Sequence, residues 1–140
     1  VAVVNLKNVA AEMRTALLTV PNLRVPTWGD GGAIGTKGLA LIGWPDRVEL
    51  TATYVRGKAR VADWPIYLLA TGQNRGAHDL IAALIGDTAP ASANLALEAG
   101  AYTACDFVHV AYAEIDPAAR YQGSPVIAAV LHVDVNGPGK

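Results

Sequence analysis

The run from residue 126 to 135 limits what this chain can fold into more than any other part of it. Ile127, Ala129, Leu131, Val133 and Val135 alternate with Ala128, Val130, His132 and Asp134. That period of two belongs to a β-strand, which sends successive side chains to opposite faces. One of the two faces is wholly apolar and has to be covered by another layer. A second strand is predicted over 107–115, with a connection that Asp116-Pro117 begins and Gly123-Ser124-Pro125 ends.

A covering layer is visible at the other end of the sequence. Leu6, Val9, Met13, Ala16, Leu17 and Val20 recur at spacings of three and four, which predicts an amphipathic helix over 5–20. Asn5 is placed to cap its start and Pro21 to close it. Ala77, Leu80, Ile81, Leu84 and Ile85 predict a second helix with Gly86 as its C-cap. A shorter third helix runs through Leu95 and Glu98 to Ala99, with Ser92 as a candidate cap and Gly100 as its end.

Between the first two helices lie β-rich runs at 23–25, 39–42, 48–55 and 61–69. Arg56-Gly57-Lys58 reads as a hairpin turn between the last two. Pro65 cannot donate to a ladder, so its run is predicted to be irregular or at an edge there. Strands in antiparallel pairs and grouped helices give an α+β fold, a mainly antiparallel (mixed) sheet with helices packed on one face. No internal repeat or second-domain boundary interrupts residues 1–140, so a single domain is expected.

No catalytic constellation accompanies this pattern. The glycine-rich loop over 27–38 fails as a P-loop, because Thr36 separates Gly35 from Lys37 and Asp30 stands where the first glycine belongs. It fails as a dinucleotide fingerprint too, because a strand and not a helix follows it. It reads as a flexible contact loop. His78, His109 and His132 lack the spacing of a metal-binding helix. His109 and His132, with Cys105 and Asp134, could meet across the last hairpin, but a satisfied polar pair on a half-buried sheet is the expectation there. Cys105, the only cysteine, reads as a small buried hydrophobe and excludes an internal disulfide. Ser124 lacks the glycine flanks of a nucleophile elbow, and Glu114 and Asp116 read as a solvated rim.

Charge narrows the function classes further. The net charge of −1 advertises no nucleic-acid grip. No apolar run approaches the roughly 20 residues of a membrane span, and Val1-Ala2-Val3-Val4 has no basic leader, so no signal peptide is expected. Only 16% of residues are charged, against about 25% in ordinary domains. That predicts surface covered by other molecules in the working state. Arg56, Lys58 and Arg60 form one basic cluster, and Trp28, Trp44 and Trp64 lie near turns, where tryptophan serves as core edge or interface anchor.

Several strings then combine: "VPNLRV", "GWPDRVELTATYVRGKARVADWPIYLLATG", "GAHDLIAALIG", "ANLALEAG" and "YQGSPVIAAVLHVDV". In this order, after an amphipathic helix, they resemble the tail terminator proteins of long noncontractile-tailed phages, the minor tail protein U group, and especially those from phages of actinobacteria. The resemblance runs from about Leu6 to Val135, and the glycine-rich loop over 29–38 departs from it. It implies a homo-hexameric ring at the head-proximal end of the tail tube, in the neck of the virion, assembled in the host cytoplasm. Such a ring ends tube polymerisation and joins tail to head. Its partners are its own copies, the tail tube protein and a head-closure or connector protein, and DNA passes through its lumen without specific binding. It implies no catalysis, no cofactor, no metal and no membrane. The expected contact residues are Trp28, Asp30 and Lys37 on the loop and Arg56, Lys58 and Arg60 on the hairpin. Two alternatives stand beside it: another head–tail connector or head-closure protein, and a small-molecule binding module using the 29–38 loop.

Overall fold

The structure, a computed structural model, describes residues 5–31, 38–45, 47–49, 60–88 and 91–137, with the main chain only at 49, 60 and 62. The elements in chain order are α1 (Leu6–Leu17), β1 (Leu23–Arg24), β2 (Gly38–Ile42), β3 (Arg47–Glu49), β4 (Arg60–Thr71), α2 (Arg75–Leu84), α3 (Ala93–Ala99), β5 (Phe107–Tyr121) and β6 (Ser124–Asn136).

The described strands form one sheet in the order β1-β2-β4-β6-β5, with β3 pairing β4 beyond the end of β2. Only β1 and β2 run parallel; all other pairs are antiparallel. This is the mixed, mainly antiparallel α+β architecture that the sequence predicts. The two central strands are β4 and β6, aligned from Arg60 opposite Asn136 to Thr71 opposite Val126. The alternation in β6 holds throughout: Ile127, Ala129, Leu131, Val133 and Val135 are buried. They share a core with Ile66, Leu68 and Ala70 of β4 and with Val9, Met13, Leu17, Ala77, Ile81, Leu84 and Leu97 of the helices. The intervening residues face the other way. There Leu39, Leu69 and Val126 form a small separate cluster with Tyr121 and Ala119 against it.

The helix starts are built as their residues dictate. Asn5 and Asn74 accept the amides of Asn8 and Ala77 and cap α1 and α2. Three expectations need correction. The C-cap of α2 is Ile85, with Gly86 one residue beyond. Ser92 occupies the N-cap of α3 without bonding it; its hydroxyl donates to the Ala83 carbonyl instead and ties α3 to α2. Most consequentially, Asp116-Pro117 does not end β5. The strand runs on to Tyr121 through a bulge between Asp116 and Ala119. The Asp116 carboxylate accepts the Ala118 amide inside that bulge. Proline is tolerated because β5 is an edge strand and its missing donor would have faced solvent. The true turn is the two-residue Gln122-Gly123, with φ of 51° and 81°, the left-handed pair that suits a tight hairpin.

The irregularity expected near Pro65 is a bulge between Val61 and Trp64. It puts Asp63 at a φ of 54°, a conformation aspartate tolerates better than most residues. The three tryptophans meet beside it. Trp64 is fully buried, and its indole N–H donates to the Gly43 carbonyl at 2.7 Å; the Trp28 indole donates to the same oxygen at 3.0 Å. Gly43 N–H in turn donates to the Pro65 carbonyl at 2.9 Å. Trp44 lies against Trp28 with ring centroids 4.5 Å apart. One backbone carbonyl therefore holds together the loop after β1, the end of β2 and the bulge of β4.

Only glycine fits at position 43. A Cβ there would lie 2.8 Å from the Tyr67 ring and 3.1 Å from the Pro65 carbonyl oxygen. Gly43→Ala is expected to cost about 1–3 kcal/mol and to shift the tryptophan emission as the indoles lose their shared acceptor. Urea denaturation followed by fluorescence checks this; an unchanged midpoint would show that the carbonyl is not a keystone.

Candidate functional site on the open sheet face

The sheet face opposite the helices carries the chemistry. The β4–β6 register sets His132 opposite Pro65, and the β5–β6 register sets it opposite Tyr112. From one side the bulge aims Asp63 at the imidazole, whose Nδ1–H donates to the Asp63 carboxylate. From the other side Glu114 Oε1 lies 2.7 Å from Nε2. That contact is out of line for an N–H donor, so it is charge pairing more than a hydrogen bond. Tyr112 stacks on the ring at a centroid distance of 4.2 Å and an interplanar angle of 12°. Asp134, two residues along β6, accepts the Asp63 amide at 3.3 Å. The result is an imidazole held between two carboxylates and roofed by a phenol.

Burial of the His132 ring opposes its charge, but the hydrogen bond and charge of Asp63, and then the carboxylate of Glu114 beside Nε2, outweigh it. The net effect holds His132 above the usual histidine value of 6.5.

Beside this cluster a groove of about 430 Å³ opens on the sheet. Trp44, Pro65, Tyr67 and Val130 give it apolar and aromatic walls, and Asp63, Glu114 and Asp116 give it carboxylates. Among the described residues its lining includes no lysine, arginine, serine, threonine or cysteine. The acids hold the imidazole from both sides, and the hydroxyl-bearing neighbours are the tyrosines Tyr67 and Tyr112. The groove sets carboxylates beside aromatic surface, a combination whose chemistry suits a cation.

Of the expected contact residues, Trp28, Asp30 and the main chain of Arg60 fall among the described residues. Trp28 is half-buried in the tryptophan cluster and touches the groove region only through Trp44. Asp30 is exposed, and its amide donates to the Thr27 carbonyl at 2.9 Å. Lys37, Arg56 and Lys58, with most of the glycine-rich loop and the Arg56-Gly57-Lys58 turn, lie outside the described residues. Arg60 opens β4, its main chain aligned with Glu49 and Asn136.

His109 and His132 do not form a joint site. His109 Nδ1 lies 2.9 Å from Glu98 of α3, whereas His132 turns to Asp63 and Glu114. Among the described residues no group of three or more histidine, cysteine, aspartate or glutamate side chains is arranged around a metal position. Cys105 is buried, as its sequence setting predicts. Burial first, then the carboxylates of Glu12 and Asp106, pushes its thiol up to about 12, far from a reactive thiolate. Glu114, read from the sequence as a solvated rim, is instead a partner of His132. The sequence signal for Asp63 is a lone acid two residues before a proline, inside an apolar run.

Comparison with known protein families finds no matching family, and comparison with curated proteins finds no match.

The raised value of His132 has a consequence for stability. In the unfolded chain the ring titrates near 6.5, so its ionic contribution is complete below that pH and is lost as pH rises through the higher folded value. Unfolding free energy measured by urea titration between pH 6 and 9 should therefore fall with pH over the stretch above 6.5. In His132→Asn this part of the slope should vanish; a variant that keeps the wild-type slope would assign it to another group.

Proposed function

We propose that this chain is a structural protein of a phage virion, a tail terminator whose copies form a ring at the head-proximal end of a long noncontractile tail tube. The observation that carries the reading is the set of large apolar side chains left uncovered on the sheet and its edge. Trp44 is 69% exposed, Phe107 56%, Tyr112 54% and Ile115 58%. Three of these four are on β5, the outermost strand beside β6. In a chain with only 16% charged residues, such a surface suits permanent cover by a neighbouring subunit. The string resemblance from Leu6 to Val135 supplies the identity of the assembly.

A ring uses one patch against a different patch of the next copy, and this head-to-tail contact closes on itself. That arrangement makes use of both an exposed edge and an exposed face on one small domain. The net charge of −1 leaves DNA free to slide through the lumen, since a strongly basic wall would hold phosphates.

Cryo-electron microscopy of the native particle tests the reading. A closed ring of this chain seated on the end of the tail tube is the expected result. A ring that touches the portal and not the tube would make it a connector. A particle that lacks the chain would end the proposal.

A further inference from the structure

We infer that the groove on the open sheet face is the receptor for the basic 56–60 segment of a second copy of this chain, taking one of its guanidinium or ammonium groups between Trp44, Tyr67 and the carboxylates of Glu114 and Asp116. The inference rests on the reading of the chain as one of several identical subunits and names the contact that would join them.

Carboxylates alone do not make a site. Here they border the exposed face of Trp44 and the ring of Tyr67 in one groove. A flat π surface beside an acid is what a guanidinium uses, stacking its plane on the ring while its N–H groups reach the carboxylate. His132 does not satisfy this demand. One imidazolium set against Asp63, Glu114 and Asp116 leaves the groove net negative, and His132 is engaged chiefly with Asp63. Asp116 accepts the Ala118 amide and lines the groove with its carboxylate.

The complementary charge is concentrated elsewhere in the same sequence. Of the eleven lysines and arginines, Arg56, Lys58 and Arg60 fall within five residues. Arg60, the last of the three, opens β4 opposite Glu49, three residues before Asp63 of the groove. A second copy can bring the segment to the groove of its neighbour. An acidic groove on one copy and a basic segment on the next form a contact between unlike patches, which is what ring closure requires. The alternation of signs also sets the register between neighbours, because like patches repel.

Sedimentation velocity at low salt on the full-length protein tests this with four forms: wild type, Asp116→Lys, Arg56→Glu/Lys58→Glu, and the combination of all three changes. Asp116 is exposed, so its reversal need not disturb folding, and circular dichroism with thermal melting verifies this for each variant. Trp44→Ala serves as a second, uncharged probe of the groove. The wild type should self-associate, and more weakly as salt rises. Either reversal alone should weaken association by about tenfold or more, and the combined form should recover most of the loss. Trp44→Ala should weaken it without changing its salt dependence. A monomeric wild type, reversals without effect, or no recovery in the combined form would each overturn the inference. If reversals have no effect while the ring is still seen on the tail, the groove assignment fails and the assembly reading survives. If the chain is absent from the tail, the assembly reading fails whatever the groove binds.

Discussion

The three described helices share one core with side chains that the antiparallel ladder of β4 and β6 has sorted. Over residues paired from Thr71–Val126 to Trp64–Val133, odd positions of β6 and even positions of β4 point to the helices. The hydrophobic effect fixes that register, because a slip of one residue would turn Leu131 and Ile66 to solvent and bring His132 and Pro65 into the core. The same sorting that builds the core gathers the polar and aromatic residues of three strands on the opposite face. The groove is thus a by-product of core formation, rigid because the core behind it is rigid.

The bulge at Asp63 is the local exception on which the site depends. A regular β4 would carry its alternation straight through and send Asp63 elsewhere. The extra residue, in a left-handed conformation, brings the carboxylate to His132. It is held open by neighbours: Asp134 takes the Asp63 amide, and the buried Trp64 anchors the next position through the Gly43 carbonyl. Backbone strain of this kind persists where surrounding contacts over-determine it.

The sequence was informative where one periodicity covered a whole element. The spacing in α1 and α2 and the alternation in β6 find most of the buried residues, missing Ala10 and including Leu6, Leu80 and Ile85, which are partly buried, since a solvent-exposed face and a core face differ in composition. It misled where a local breaker met a permissive tertiary position, as at Pro117, whose absent N–H costs nothing on an edge. The histidine cluster was out of reach for a different reason. Asp63, Glu114 and His132 lie on β4, β5 and β6, and no spacing encodes their meeting; it follows from strand order and one bulge. Loop position and charge, which single out Lys37, Arg56 and Lys58, do not reveal a groove whose lining comes mostly from strand residues far apart in the sequence.

The broken edge of β5 limits how copies of this chain can add to one another. A straight fifteen-residue border of free amides and carbonyls would invite another strand along its full length, and growth by that route has no natural end. The irregularities between Val110 and Tyr112 and between Asp116 and Ala119 divide the border into short stretches with different twist. A stray strand finds only a few residues to pair with before the register fails. Subunits held instead by side chains in shaped surfaces meet at a fixed angle, and a fixed angle gives a countable object, where open strand addition gives fibres.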